Sequence, residues 1–583
     1  MKTIFLVTFL HIGLISLLAQ PPKYFETSFS IDNNLISVAN VVCETANNEL
    51  VFTGATLDTT HLEWRPLVLV TDLFGKEIHS LDFKSYFPDT SLEHPHVGRS
   101  LIVNNDVSTI VGYTDAGYKA NCFFTKYDIK NNKLISTDFI GTTQNSEVAY
   151  AMCQTTDKGY LLAGLLQSFE PNDSAEVYPH IYKVDSMGKF VWSKTYKQYN
   201  LSSNWFIDIV PADVPDEYFV SATIDYTAYD GEPLLLKING EGKIIASKLY
   251  NNEGQGAAGN VKYDKATNTV LFTMAEDYKV PFDLQAWRLV QLTPDLKTEL
   301  FNFFYTNHQG TPAGMFALPD GGFIISGWVV EKNNTLNVRI LRLSKKAKIL
   351  WQRTYGTPEE DDYAYDMIET SDGGYAICGR THTTTQARIY LLKTNCMGLL
   401  TEPQASYEIA QNEGLTLTLK NTSQYVYPDS IDGGFYVVDW GDGSKDTITT
   451  DKEPTLTHTY AQYGTYNVVL YGWVCNDLSV YGQPMGVWPV GIENSPSSRA
   501  LGVVSTNPAH QTATLTLNPN YTHLIHQGEA LEIFNTQGQL VKTVPLSSEG
   551  ETTTFSTANF TSGIYYCRLQ NHPEIEGVKL LLY

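Results

Sequence analysis

A short pattern, apolar-apolar-small-Gly following a turn, returns seven times between about residues 41 and 400, and it limits the fold more than any other feature of the chain. It reads Leu50-Val51-Phe52-Thr53-Gly54, Thr109-Ile110-Val111-Gly112, Tyr160-Leu161-Leu162-Ala163-Gly164, Phe323-Ile324-Ile325-Ser326-Gly327 and Tyr375-Ala376-Ile377-Cys378-Gly379. Two further copies carry Ala222 and Met274 at the Gly position. The marker positions 54, 112, 164, 222, 274, 327 and 379 lie 52 to 58 residues apart. A unit of that length cannot bury its apolar face alone, so neighbouring copies must stack.

The clearest copy can be read strand by strand. Ala364 to Thr370 alternates as a half-buried strand, and Ser371-Asp372-Gly373-Gly374 is a hairpin turn, because Gly tolerates the positive φ such turns need. Tyr375 to Gly379 is apolar throughout, as expected of a strand covered on both faces. Arg388 to Lys393 is a third strand. A second recurring hairpin, Tyr182 to Trp192 with relatives at Leu236 to Ile245 and Arg342 to Trp351, joins the third strand to a fourth. Its Asp, Asn and Gly residues serve turn geometry, with no need for an ion. Four strands per copy at this spacing predict an all-β fold, with a seven-bladed β-propeller over residues 20–400. Tyr24-Phe25-Glu26-Thr27-Ser28-Phe29 resembles a fourth strand with no blade before it. The expectation is that it pairs after Leu391 to Asn395 and closes the ring, removing exposed sheet edges. These copies resemble the Asp-Gly-Gly-Tyr-type propeller repeats of secreted bacterial surface proteins, a resemblance that bears on fold and not on activity.

The ends of the chain set its destination. Lys2, the apolar stretch Ile4 to Leu18 and the small residue Ala19 read as a signal peptide over residues 1–19, too short to span a bilayer. A net charge of -23, without any basic, aromatic-interleaved stretch, argues against a nucleic-acid partner. Seven cysteines lack CxxC spacing. Cys43 and Cys153 occupy one repeat position that holds Phe316 and Ile368 elsewhere, which marks them as buried hydrophobes and not as ligands or nucleophiles.

Beyond Thr401 the period breaks. Phe435 to Ser444, containing Asp439-Trp440-Gly441-Asp442-Gly443, is followed by His458-Thr459-Tyr460 and Tyr463-Gly464-Thr465-Tyr466. This spacing closely resembles the PKD (polycystic-kidney-disease-type) domain, an immunoglobulin-like sandwich, here at 401–485. Trp440 would plug the core, and Asp442 with Gly443 would shape a turn. Some relatives bind calcium near such turns, which puts Asp442, Asp446 and Asp451 forward as alternative ligands; a solvated turn is the simpler reading. A linker at 486–502 leads to a last module, 503–583. It contains Asn507-Pro508, a hairpin with Gly538, the strand Gly563-Ile564-Tyr565 and a final strand with Lys579. That order resembles the C-terminal sorting domain of type IX secretion cargo, although Ser505-Thr506 replace the usual residues before Asn507. The resemblance implies passage through the periplasm, contact with the type IX secretion machinery, and release or attachment at the outer-membrane surface.

No nucleophile elbow, phosphate loop or zinc motif is legible. His94-Pro95-His96 reads as a surface loop. Glu359-Glu360-Asp361-Asp362 reads as a hydrated loop, with a calcium- or sugar-contacting rim as the alternative. If the ring binds a ligand, its central funnel and loops are the expected place. Asn204, Trp205, Asp362 and Tyr363 enter the inner strands, while Tyr113, Trp328 and Arg380 leave the second ones. Three functions are open at this point. One is a secreted or surface-attached binding or adhesion protein contacting a glycan, peptide or surface protein. The others are a polysaccharide- or protein-degrading enzyme with converging carboxylates in the funnel, and a structural component of a surface assembly.

Overall fold

The computed structural model describes residues 22–582 apart from 32–35, 59–62, 84–95, 116–119, 142–144, 169–175, 200–203, 226–230, 251–255, 278–284, 307, 384–385, 451–454, 488–499, 506–508, 510 and 547–551. Residues 1–400 form one of two compact units. There the repeats fold into antiparallel four-stranded sheets that resemble propeller blades, their strands adjacent in chain order. A representative sheet joins Ser146–Gln154, Tyr160–Ser168, Glu176–Val184 and Phe190–Thr195. Its second strand begins with five consecutive buried residues, Tyr160 to Gly164, while its fourth is largely exposed. The uninterrupted apolar run therefore follows from burial on both faces. The turns behave as expected from their sequence. Thr370 N donates to Gly374 O at 2.9 Å, with Gly373 at φ 84.

One sheet has eight strands and divides into two four-stranded halves. The first half contains Ile36–Glu44, Glu49–Asp58, Glu63–Asp72 and Glu77–Asp82; the other contains Asp361–Glu369, Tyr375–His382, Ala387–Thr394 and Phe25–Phe29. A single parallel bridge, Ile36 to Ala387, joins them. Phe25–Phe29 pairs antiparallel with Ala387–Thr394, from Phe25 opposite Lys393 to Phe29 opposite Ile389. Tyr390 adds a hydrogen bond from its hydroxyl to Glu26 Oε1 at 2.7 Å. The pairing expected for residues 24–29 is thus present.

The first strands of successive sheets pack against one another in order, and Asp361–Glu369 packs against Ile36–Glu44. Side chains stitch these joints. Asn40 Nδ2 donates to Gly98 O (2.9 Å), Met152 N to Ser100 Oγ (3.2 Å), Val261 N to Asp208 Oδ2 (3.0 Å) and Val42 N to Asp366 Oδ2 (3.1 Å). A second device repeats within the sheets. A carboxylate at or just after the first turn is paired with a cation on the third strand: Asp157 with Lys183 (2.6 Å), Glu217 with Lys237 (2.6 Å), Asp320 with Arg342 (2.7 Å) and Asp372 with Lys393 (2.7 Å).

Residues 401–583 form the second unit. Its first part has a three-stranded sheet (Tyr407–Glu413, Thr416–Asn421, Thr455–Thr459) and a four-stranded one (Lys445–Ile448, Phe435–Asp439, Gly464–Val474, Asp477–Val487). Trp440 is fully buried between them, stacked on His458 with centroids 4.9 Å apart, and its Nε1 donates to Asp446 Oδ2 at 2.8 Å. The second part has a three-stranded sheet (Gly502–Ser505, Thr512–Leu517, Thr552–Ser556) and a four-stranded one (Leu540–Pro545, Ala530–Asn535, Gly563–Leu569, Val578–Leu582) around a core that includes Leu515, Ile533, Cys567 and Leu580.

Candidate functional site

Every first strand carries a β-bulge near its middle. The pairing register passes from Ala39 to Val41, Gly98 to Ser100, Ala149 to Ala151, Phe206 to Asp208 and Ala364 to Asp366. Asn40, Arg99, Tyr150, Ile207 and Tyr365 are left outside the ladder. A bulge re-aims the side chain of the extra residue. All five of these side chains line one cavity of about 690 Å³. The repeat's signature glycine sits opposite the bulge, with Gly54 facing Ala39, Gly164 facing Ala149 and Gly379 facing Ala364. A Cβ at Gly164 would stand 1.9 Å from the Val148 carbonyl oxygen, and at Gly379 it would stand 1.8 Å from that of Tyr363. In these copies the bulged strand bends onto the glycine and leaves no room for a Cβ, whereas the sheets with Ala222 and Met274 accommodate a side chain opposite their bulges.

The remaining wall includes Trp64, Tyr113, Trp205 and Arg380, with aliphatic side chains such as Val38 and Val97. Five aromatic rings and two guanidinium groups thus share the cavity, and among the described residues its lining contains no carboxylate. Arg99 lies over the Tyr113 and Tyr150 rings at 5.6 and 5.7 Å, and its Nη2 donates to the Tyr113 hydroxyl at 3.3 Å. Arg380 lies over Tyr363 at 4.4 Å. The Nε atoms of Arg99 and Arg380 are buried with no hydrogen-bond partner among the described residues. Burial pushes the Tyr150 hydroxyl up to about 12. Burial also raises Tyr365, while the charges of Arg380 and Arg99 both act to lower it. Tyr365 therefore stands within electrostatic reach of both cations.

Of the residues singled out in the sequence, Tyr113, Trp205 and Arg380 line this cavity. Trp328 and Tyr363 extend from it as a strip, Trp328 edge-on to Tyr363 at 5.5 Å and Tyr363 6.0 Å from Tyr365. Asn204 and Asp362 lie elsewhere. Asn204 is fully buried with Nδ2 donating to Val177 O at 3.4 Å, and Asp362, 2% exposed, accepts from Thr357 N at 3.0 Å. Both precede or begin a first strand; Asn204 ties that point to the strand Glu176–Val184, and Asp362 holds the turn at Thr357. Arg99, Tyr150, Tyr365, Asn40 and Trp64 were not singled out. The usable signal was the small-X-small triplet at the bulge: Gly98-Arg99-Ser100, Ala149-Tyr150-Ala151 and Ala364-Tyr365-Asp366.

The acidic groups are occupied structurally. Glu360 binds Arg388 at 2.6 Å, and Asp361 accepts from Leu336 N at 2.9 Å. Asp208 and Asp366 each accept two backbone amides and interact electrostatically with each other and with Lys262. Asp442 accepts from Ser444 N and binds His458 Nε2 at 2.8 Å; Asp451 lies outside the described residues. Among the described residues, no group of three His, Cys, Asp or Glu is placed to hold a metal ion. Cys43 and Cys153 are free thiols, and burial pushes Cys43 up to about 12.

At the C-terminal end, Gly538 (φ 83) forms the turn between Ala530–Asn535 and Leu540–Pro545. Tyr565 is buried with its hydroxyl donating to Thr561 O at 2.8 Å, and Lys579 pairs with Tyr566 across the last two strands. Asn507 and Pro508 lie outside the described residues. Residues 506–582 match the secretion system C-terminal sorting domain. A sorting domain of this kind implies the type IX machinery as a partner, with export toward the outer membrane and cell surface. No helix among the described residues is long and apolar enough to cross a membrane. No curated protein matches the chain. Among solved structures, the β-propeller domain of the Trilobed protease from Pyrococcus furiosus is similar over 63% of this chain and 97% of its own, at 9% identity and TM-score 0.35. An acylaminoacyl peptidase from Pyrococcus horikoshii is similar over 66% of this chain and 57% of its own, at 9% identity and TM-score 0.36. The PKD1 domain of the Vibrio cholerae metalloprotease PrtV is similar over 15% of this chain and 98% of its own, at 29% identity and TM-score 0.12.

Proposed function

We propose that the chain is an exported binding protein that holds an extracellular ligand (glycan, peptide or surface protein) in the cavity at the centre of a seven-bladed propeller. The count of seven takes each half of the eight-stranded sheet as one blade, and the cyclic packing of first strands supports it. Residues 1–19 act as signal peptide, 401–485 as a PKD-type spacer and 486–502 as a linker to the sorting domain.

The observation that carries this reading is the wall itself: Trp64, Tyr113, Tyr150, Trp205 and Tyr365 with two arginines and no acid. Such a surface suits binding by stacking and directed hydrogen bonds. A glycosidase would need a carboxylate pair flanking the bond, and a protease a nucleophile with its base; the described residues of the wall include neither. The test is a panel of oligosaccharides and peptides presented to the full chain. Binding that falls at least tenfold in Trp205→Ala, with unchanged thermal unfolding, supports the reading. Turnover of any panel member, abolished by a cavity substitution, contradicts it.

A further inference from the structure

We infer that the ligand of this cavity is an acidic oligosaccharide, its carboxylate or sulfate group bound between Arg99 and Arg380 and its sugar rings lying on the surrounding aromatic side chains; this rests on the binding reading above. The chain carries 63 acidic and 40 basic residues, so most of its arginines have carboxylates within easy reach. Inside the ring, Arg65, Arg288, Arg342 and Arg388 are each paired with an Asp or Glu at 2.6 to 3.1 Å. Arg99 rests on the Tyr113 and Tyr150 rings and the Tyr113 hydroxyl, and Arg380 on the Tyr363 ring; no carboxylate among the described residues pairs with either, and unlike Arg353, which lies on Trp351, both line the cavity.

A half-buried guanidinium without a counter-charge is costly, and two sharing one cavity repel each other. The cost disappears when an oxyanion enters, because the guanidinium fork matches the two oxygens of a carboxylate or sulfate. Placement on bulges adds to the argument. Arg99 is the extra residue of its strand, held outside the ladder so that its side chain lines the cavity, where it rests against Tyr113 and Tyr150. Tyr365 lines the same cavity as both arginines. Trp64 and Trp205 supply flat apolar faces for pyranose rings, and about 690 Å³ leaves room for a ligand of a few sugars.

The experiment is a tryptophan-fluorescence titration of the full chain with three probes of equal length: galacturonate oligosaccharides, sulfated chondroitin-type oligosaccharides and neutral xylo-oligosaccharides. An acidic glutamate peptide serves as a fourth arm. The expected result is binding of at least one acidic sugar tenfold or more tighter than the neutral one, weakened by salt. Arg99→Gln and Arg380→Gln should each reduce it about tenfold, with Arg99→Lys recovering only part. Unfolding midpoints of the variants confirm that the ring is intact. The uronate and sulfate arms identify which oxyanion is preferred, and preference for either supports the inference. Equal or tighter binding of the neutral sugar, binding of the peptide alone, or affinity unchanged by both arginine substitutions overturns it while leaving the binding reading in place. No binding of any probe overturns both.

Discussion

Gly164 and Asp366 illustrate how single residues carry the ring. At Gly164 a methyl group would collide with a backbone oxygen, which a side-chain rotamer change cannot relieve. Gly164→Ala should therefore destabilise the protein by about 2 kcal/mol in urea unfolding. An unchanged midpoint would show that the bulged strand can move away. Asp366 tests the stitching. Half-buried at its surface but set deep in protein, it accepts amides from Val42 and Met367 and faces Asp208, Lys262 and the thiols of Cys43 and Cys378. Desolvation pushes its carboxyl up to about 6, from 3.8. The folded state then holds this proton more tightly than the unfolded state. Its contribution to stability is complete below the unfolded value and is lost as the pH rises through about 6. Asp366→Asn removes the titration; its single carbonyl oxygen can replace only one of the two carboxylate oxygens that accept amides, a cost that does not vary with pH. Between pH 4 and 7 the wild type should lose on the order of 2 kcal/mol relative to this variant. Parallel pH–stability curves for the two proteins would refute the assignment.

Among the elements, the strand Phe25–Phe29 has the largest mechanical role, because it supplies a fourth strand from the opposite end of the repeat array. A variant lacking residues 22–30 leaves the edge Ala387–Thr394 unpaired and should unfold several degrees lower and aggregate on heating. Equal midpoints for the two proteins would mean that the closure contributes little. The ion pair behind that edge gives a finer test. Lys393 is fully buried against a slightly exposed Asp372, whose carboxyl burial would raise but which the Lys393 ammonium and Thr370 hydroxyl bring to about 2. Lys393→Met should cost about 2–3 kcal/mol, less than a fully enclosed pair because Asp372 can rehydrate. The blades were legible in the sequence because Gly, Asp-Gly turns and apolar runs recur at fixed spacing, each with one physical cause. The cavity was not, because one extra residue per first strand reverses the alternation that assigns a side chain to a face. That is why Tyr365, which reads as one more alternating strand residue, opens onto the cavity; Asn204 and Asp362, which read as loop positions, are buried and tied by hydrogen bonds to Val177 and Thr357 that spacing does not reveal.

For the whole molecule, the proposed division of work is a propeller that binds, a spacer, and the sorting domain at 506–582. The sorting domain could be recognised from Gly538, Gly563, Tyr565 and Lys579 because turn and strand residues recur in order along the chain. The ligand could not, since its wall is assembled from positions as far apart as Asn40 and Arg380. Within the second unit, Arg568 binds Glu532 at 3.1 Å and also the Thr465 hydroxyl, while Asn412 Nδ2 donates to Gly486 O at 3.0 Å. The two parts of the second unit are thereby docked to each other. The central claim is that binding resides in the ring cavity, and the most direct measurement is hydrogen-exchange footprinting of the full chain with and without the tightest acidic oligosaccharide. The account predicts protection concentrated in the segments around Arg99, Tyr150, Trp205 and Tyr365 through Arg380. Protection confined to residues 401–583 would contradict it.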